Sequence, residues 1–223
     1  MEISVAKALD AVKHDLLSLV QKFNSGQSGP PDYAEVVALV DELSPLSPIP
    51  DPNHHLESVA GSWISVYASF GMGHSKGKSH HDDSSLALQT FKAFPDIPIH
   101  VHDIVQEIGL ESHAYNNVVF FKTTTDGYEG LIIIHGRYDC DPDNVKRFRV
   151  VFHSAELRGG EGVSEAELRK SLQLPDDYML KRDFKPAKLH SDIVYLDETT
   201  RINIGGMGGL YVLERRAGPA ISL

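Results

Sequence analysis

Apolar residues recur at alternating four- and three-residue steps over Val5, Leu9, Val12, Leu16, Leu19 and Phe23, the spacing that lines one face of an α-helix. The run Asn24-Ser25-Gly26-Gln27-Ser28-Gly29-Pro30-Pro31 then breaks the pattern. Tyr33, Val36, Val37, Val40 and Leu43 predict a second, shorter helix from about Asp32 to Leu43, with Asp32 placed as its N-cap. A proline-rich stretch, Ser44–Pro52, ends it. Two short amphipathic helices joined by a short loop pair with each other, and their joint apolar face must cover something.

From Gly61 the period changes to two. Trp63, Ser65, Tyr67 and Ser69 are expected on one face of a strand, with Ile64, Val66, Ala68 and Phe70 on the other. Residues 71–85 are poor in apolar side chains and rich in Gly, Ser, Lys and His, so they read as a mobile loop. Further strands are predicted at Ile99–Glu107, Tyr115–Thr124, Glu129–Asp139 and Lys146–Glu156, with a hairpin turn at Thr125-Asp126-Gly127. Ser164-Glu165-Ala166-Glu167 opens a short helix with a capping pattern that ends near Leu172, before Pro175. Two last β-rich runs, around Ile193–Leu196 and Leu210–Leu213, flank the cluster Gly205-Gly206-Met207-Gly208-Gly209. Many short strands at hairpin spacing predict a mainly β, antiparallel barrel or sandwich. An early tryptophan and a late arginine, Trp63 and Arg201, meet most easily if the sheet closes on itself, which favours the barrel.

Composition narrows the partners. With Asp+Glu 31 against Lys+Arg 21, the net charge of −10 repels nucleic acid and gives no general attraction to anionic membranes. The best basic patch is Lys181, Arg182, Lys185 and Lys188, read as a solvated loop. Cys140 is the only cysteine, so no intrachain disulfide forms; Asp139, Asp141 and Asp143 beside it oppose a thiolate. No apolar run reaches transmembrane length. Glu2 and Asp10 and the lack of an apolar core at the N-terminus fit neither a secretory signal nor a transit peptide.

Candidate chemistry is thin. His100 and His102 are expected on one side of a strand, and His80-His81-Asp82-Asp83 adds donors, but no strong metal spacing is present and solvated histidines are the expected outcome. The glycine cluster is followed by the strand-like Leu210-Tyr211-Val212-Leu213, so it reads as a turn and not as a phosphate loop. Gly-x-Ser-x-Gly is absent, which argues against a covalent hydrolase. The remaining constellation is Trp63, Tyr67 and Arg201. A small barrel either fills its interior with side chains or leaves a cavity for one small ligand. Trp63 plugs one end with its indole face on an arginine. A polar Arg201–Asn203 face inside the barrel suits a carboxylate, carbonyl or quinone head group; the alternative is that Arg201 only locks the floor.

At these residues the chain resembles the plastid-lipid-associated protein family, also called fibrillins or plastoglobulins. Asp41-Glu42-Leu43-Ser44-Pro45-Leu46 and Ile49-Pro50-Asp51-Pro52 resemble the family's approach to its first strand. Gly61-Ser62-Trp63 with Tyr67 is similar to its G-x-W…Y opening, and Gln106 with Asn117-Val118-Val119 to its middle strands. Tyr195-Leu196-Asp197-Glu198-Thr199-Thr200-Arg201-Ile202, then Gly205 and Gly209-Leu210-Tyr211-Val212-Leu213, resembles its closing signature. Ile204 stands where the family usually has a basic residue, and the His-rich segment at 74–81 and the His100–His102 pair have no family counterpart. The resemblance implies a calycin- or lipocalin-like barrel and non-catalytic binding of apolar small molecules such as fatty acids, carotenoids or isoprenoid quinones. It also implies peripheral association with thylakoids or lipid bodies, from the cytoplasm or plastid stroma. The first helix, unlike a targeting segment, points to a bacterial member or a mature form. The expected organisation is a helical pair and linker at 1–52 packed on a barrel at 53–223. The expected ligand-binding set is Trp63, Tyr67, Phe120, Arg201, Asn203 and Tyr211, with no catalytic residue, metal or cofactor. The rival readings are a coat or interaction protein with a filled barrel, and an enzyme built on His100 and His102.

Overall fold

The computed structural model describes residues 2–29, 31–69, 94–218 and 221, with side chains from residue 7 onward. The segment 71–85 and the His80–Asp83 cluster lie outside the described residues. Alternation of apolar and polar positions gives eight strands: β1 Gly61–Ser69, β2 Ile99–Ile108, β3 Tyr115–Thr123, β4 Glu129–Cys140, β5 Arg147–Gly159, β6 Lys181–Leu196, β7 Thr200–Gly205 and β8 Leu210–Arg215. Each pairs antiparallel with its neighbour in sequence, and β8 pairs back with β1, so the barrel closes without a crossover. Closure removes most of the exposed edge that an open sheet would carry. The fold is mainly β, a closed antiparallel barrel of the kind the strand spacing predicts and consistent with the calycin-like barrel that the resemblance implies.

Strand β3 shows how the sequence divides the two faces. Val119 and Phe121 join the core under the short helix α4 (Glu165–Ser171; the one-turn α3, Leu56–Val59, precedes β1), together with Ile99, Val101, Ile132, Leu157, Leu168 and Leu172. Tyr115 joins a second core around Trp63, with Tyr138, Phe148, Val150, Ile193 and Leu213. Val118 and Phe120, one residue out of phase, face away and pack with Val105, Ile133 and Ile221. Helix α4 begins in a reciprocal capping box between Ser164 and Glu167, as its Ser-x-x-Glu pattern predicts.

The N-terminal helices α1 (Glu2–Asn24) and α2 (Tyr33–Leu43) lie against the outside of β1, β6, β7 and β8. Asp32 caps α2 by accepting the Ala34 amide at 3.1 Å. Leu16, Val20, Val36, Val40 and Leu43 are buried against Tyr67, Tyr195, Ile202, Leu210 and Val212. Burying each such aliphatic side chain contributes about 1.5–3 kcal/mol. Lys13 Nζ completes the attachment at 2.6 Å from Asp197, which also accepts the Tyr195 hydroxyl.

Two sequence expectations fail here. Trp63 and Tyr67 do not share a face. Ser65 pairs with Leu213 and Tyr67 with Val212, so a bulge at Val66 inserts one residue and reverses the parity of the rest of the strand. Tyr67 turns outward to the helices while Ala68 takes the inward phase opposite Tyr211. Nor do Lys181, Arg182, Lys185 and Lys188 form a loop. All four lie exposed on the first half of β6, Lys181, Arg182 and Lys188 in register with β5 and Lys185 in the irregularity between Asp183 and Ala187. Only Phe184 of residues 181–188 is part-buried, so the segment shows no apolar alternation and its register comes from the partner strand.

Candidate functional site

Gly61, at φ +119°, brings the chain into β1 so closely past Arg215 that a Cβ there would stand 2.9 Å from the Arg215 guanidinium. Only glycine fits both demands. Trp63, fully buried, then donates its indole N–H to the Val59 carbonyl at 2.8 Å. Two guanidinium groups lie over its ring, Arg215 at 4.1 Å and Arg201 at 4.9 Å from the centroid. Arg215 also donates to the carbonyls of Ser58, Ala60 and Glu198, tying the chain before β1 to the end of β8. This is the barrel floor. Arg215, which sequence reasoning overlooked, makes the closer contact. The signal was available: once β8 is paired with β1, Arg215 falls opposite Trp63.

Arg201 begins a polar layer above the floor. It is fully buried and donates through Nη2 to Gln106 Oε1, while its Nε and Nη1 have no partner among the described residues. Burial pushes its pKa down to about 10, with the Arg215 charge adding to the fall and Tyr115 opposing it. At neutral pH it stays a cation, held by the Trp63 face and the Gln106 carbonyl. Tyr115 Oη lies 3.2 Å from Gln106 Oε1 and 3.4 Å from Ser191 Oγ, and Asn203 Nδ2 donates to that serine at 3.0 Å. The layer opens on a cavity of ≈ 120 Å³ whose polar wall includes Gln106, Tyr115, Asn117, Ser191 and Asn203. Phe152, Leu189 and Met207 contribute apolar wall, with Tyr211 and His190 beside them. Asn117 Oδ1 and Asn203 Oδ1 are buried without a hydrogen-bond partner among the described residues. Burial drives the Tyr211 phenol up to about 12, so it remains protonated.

The mouth is shaped by the glycine cluster, which forms the β7–β8 turn. Gly208, at φ +80°, donates to the Gly205 carbonyl, and Gly206 donates to the His190 carbonyl at 2.8 Å. A Cβ on Gly206 would strike the His190 ring at 2.7 Å. These glycines let the turn lie against β6; no helix follows them, as the turn reading requires.

Of the expected ligand set, Asn203 and Tyr211 line the cavity, and Arg201 reaches it through Gln106. Trp63 belongs to the floor. Tyr67 sits in the seam with α1 and α2, because the bulge at Val66 reverses its phase. Phe120 lies on the outer face, its ring centroid 6.0 Å from that of His102, because β3 directs the even-numbered positions 118 and 120 away from the interior. Gln106, Asn117 and Ser191 were not expected as site residues; their signal is a polar side chain at an inward phase of an otherwise apolar strand. His100 and His102 are exposed on the outer side of β2, His102 at 3.2 Å from Asp103. Among the described residues no group of three or more His, Cys, Asp or Glu side chains is placed to hold a metal. Burial, and then Asp139, raise the Cys140 thiol pKa above its ordinary value.

The sequence profile of the PAP_fibrillin family matches residues 10–214, which takes in most of α1, all of α2 and α4, the barrel up to Glu214 and every residue lining the cavity. No curated protein and no solved structure matches the chain.

Proposed function

The chain belongs to the PAP_fibrillin family of plastid-lipid-associated proteins, and on that premise we propose that it is a non-catalytic binding protein for apolar molecules with a small polar head. One observation carries the reading: a cavity inside the barrel is lined by Gln106, Asn117, Ser191 and Asn203 beside the apolar surfaces of Phe152, Leu189 and Met207, and the Asn117 and Asn203 side-chain oxygens are buried there without partners among the described residues. A buried carbonyl left without a donor costs about 1–3 kcal/mol, which a bound head group would restore. The cavity of ≈ 120 Å³ falls well below the roughly 300–1,000 Å³ of sites that enclose whole ligands. The head therefore enters and the tail, be it of a fatty acid, carotenoid or isoprenoid quinone, runs out past the mouth. Met207, 48% exposed on the β7–β8 turn, offers it apolar contact.

The same strand that bounds the mouth leads to a membrane-facing surface. Lys181, Arg182, Lys185 and Lys188 precede Leu189 and His190 on β6, before the pairing with β7 begins at Ser191. A basic ribbon on a chain of net charge −10 is suited to anionic lipid, at about 1 kcal/mol per basic residue near the surface. This supports peripheral association with thylakoids or lipid bodies, the mouth turned to the lipid. Among the described residues no helix is long and apolar enough to cross a membrane.

The small cavity also favours a second reading, a coat or interaction protein whose barrel is filled. Titration of the delipidated protein with a fluorescent fatty acid and a fluorescent quinone separates the two. Saturation at one site per chain supports the binding protein; failure of both probes to bind leaves the filled barrel.

A further inference from the structure

The strand that bounds the mouth continues past it as an open edge. β6 meets β7 first at Ser191, opposite Gly205, and above that rung the Gly206 amide still donates to the His190 carbonyl. Beyond it, residues 181–190 pair only with β5 among the described residues, over roughly 30 Å of strand. All of 181–188 except Phe184 are exposed. Pro186, which lacks an N–H, and the irregularity between Asp183 and Ala187 spoil this edge for a further strand, as do its lysines. Its charge suits a different partner. Lys181, Arg182, Lys185 and Lys188 share the segment with one acid, Asp183. The neighbouring carboxylates are already engaged, Glu156 by Arg158, His135 and Lys181, and Asp192 by a bidentate Arg147. A basic edge blunted against strand pairing fits the anionic surface of a bilayer.

The cavity opens at the foot of this edge. Leu189 and Ser191 line it, and Lys188 is the next residue up the strand, on the opposite face. Met207 belongs to both surfaces, lining the cavity while 48% exposed. Ile204, on β7 just before the turn, is 38% exposed. With room inside for the head alone, a tail leaves past Met207 and emerges beside the residues that face the lipid. It can then enter hydrocarbon without crossing water, where its apolar surface would oppose release. We propose that the protein exchanges its ligand by contact: Lys181, Arg182, Lys185 and Lys188 seat this flank on anionic lipid, and Met207 guides the tail between barrel and bilayer. The inference rests on the binding-protein reading and adds its route of exchange.

Stopped-flow transfer of cis-parinaric acid from the delipidated and reloaded full chain tests it, with vesicles carrying a nitroxide-labelled lipid as the quenching acceptor. Saturating methyl-β-cyclodextrin, an acceptor without a membrane surface, gives the rate of release into water. For the wild type, the rate to vesicles should exceed that release and rise in proportion to vesicle concentration. Adding phosphatidylglycerol to phosphatidylcholine vesicles should raise it about fivefold or more, and salt should reverse the gain. Replacing the four basic residues by Gln should lose that gain and leave release into cyclodextrin unchanged. Met207→Asp should slow transfer to vesicles more than it alters release into cyclodextrin. The wild-type measurements decide the case by themselves should a variant fail to fold. A rate equal to the cyclodextrin release at every vesicle concentration would overturn contact exchange and leave the binding-protein reading intact. A rate that follows vesicle concentration but ignores phosphatidylglycerol would overturn the role of the basic edge. No binding of cis-parinaric acid would overturn both readings.

Discussion

At the barrel floor Trp63 gives its N–H to Val59, and Arg215 reaches the carbonyls of Ser58, Ala60 and Glu198. At the cavity, built on the next inward positions of the same closing strands, Asn203 keeps a carbonyl oxygen with no donor among the described residues. Both regions carry a cation and polar side chains inside an apolar shell. The difference is completeness. A floor whose Trp63 and Arg215 donors are satisfied holds the first strand to the last, whereas a wall with unpartnered polar atoms carries a free-energy cost that a ligand or an ordered water would remove. Arg201 lies between them, stacked on the floor tryptophan and bonded to Gln106 of the cavity wall.

The largest effects should come from the floor. Trp63→Ala removes the plug and the surface on which both guanidinium groups rest, and is expected to cost about 3–5 kcal/mol in urea unfolding. Arg215→Ala, which releases three carbonyls, should cost roughly 1–3 kcal/mol by the same measurement. A larger loss from Arg201→Met than from Arg215→Ala would break the comparison. Arg201 is a buried cation without a carboxylate partner among the described residues, so its apolar replacement should be near neutral, within about 1 kcal/mol, or stabilising.

Cavity variants should behave in the opposite way. Asn203→Leu gives up one hydrogen bond, at about 1 kcal/mol of stability, but is expected to weaken ligand binding by about tenfold. On the outer surface, replacing Lys181, Arg182, Lys185 and Lys188 together by Gln should abolish co-sedimentation with anionic vesicles while leaving stability and cavity binding unchanged. Salt should weaken the wild-type interaction in the same assay.

The smallest effect concerns the helical cover. Burial pushes the Asp197 carboxyl up, but hydrogen bonds from Lys13, Tyr195 and the Thr199 and Thr200 amides outweigh it and hold the group below the usual carboxylate range. A carboxylate depressed in the folded state contributes stability fully above its unfolded pKa of about 3.9, and loses it as pH falls through the folded value. Attachment of α1 should therefore be unaffected between about pH 5 and 8 and loosen below about pH 4. Hydrogen exchange along α1 checks this, and Lys13→Met should move the loosening upward in pH.

The fold was legible in the chain because its carriers are local: apolar spacing for α1 and α2, the Ser164–Glu167 cap for α4, and glycines at the β7–β8 turn. Trp63, Arg201, Asn203 and Tyr211 were legible because each lies in strict alternation with a recognisable apolar neighbour. Tyr67 was misplaced because a bulge carries no mark in the sequence; Val66 looks like any strand residue. Phe120 was misplaced because an aromatic side chain at an outward position covers the barrel's outside as readily as its inside. The strand Lys181–Lys188 was invisible because its pairing is dictated by β5 and not by its own pattern. Gln106, Asn117 and Ser191 share a wall only through a closure that joins β2, β3 and β6, a relation no spacing along the chain expresses.

The central claim is that ligand binds inside the barrel at the polar wall. Asn117→Phe tests it most directly, since the ring would fill the ≈ 120 Å³ cavity without removing a bond that Asn117 Oδ1 makes. Titration of wild type and variant with cis-parinaric acid should show one site per chain in the first and none in the second, with the same unfolding midpoint in urea. Binding that persists unchanged in a folded Asn117→Phe barrel would place the ligand elsewhere and contradict the account.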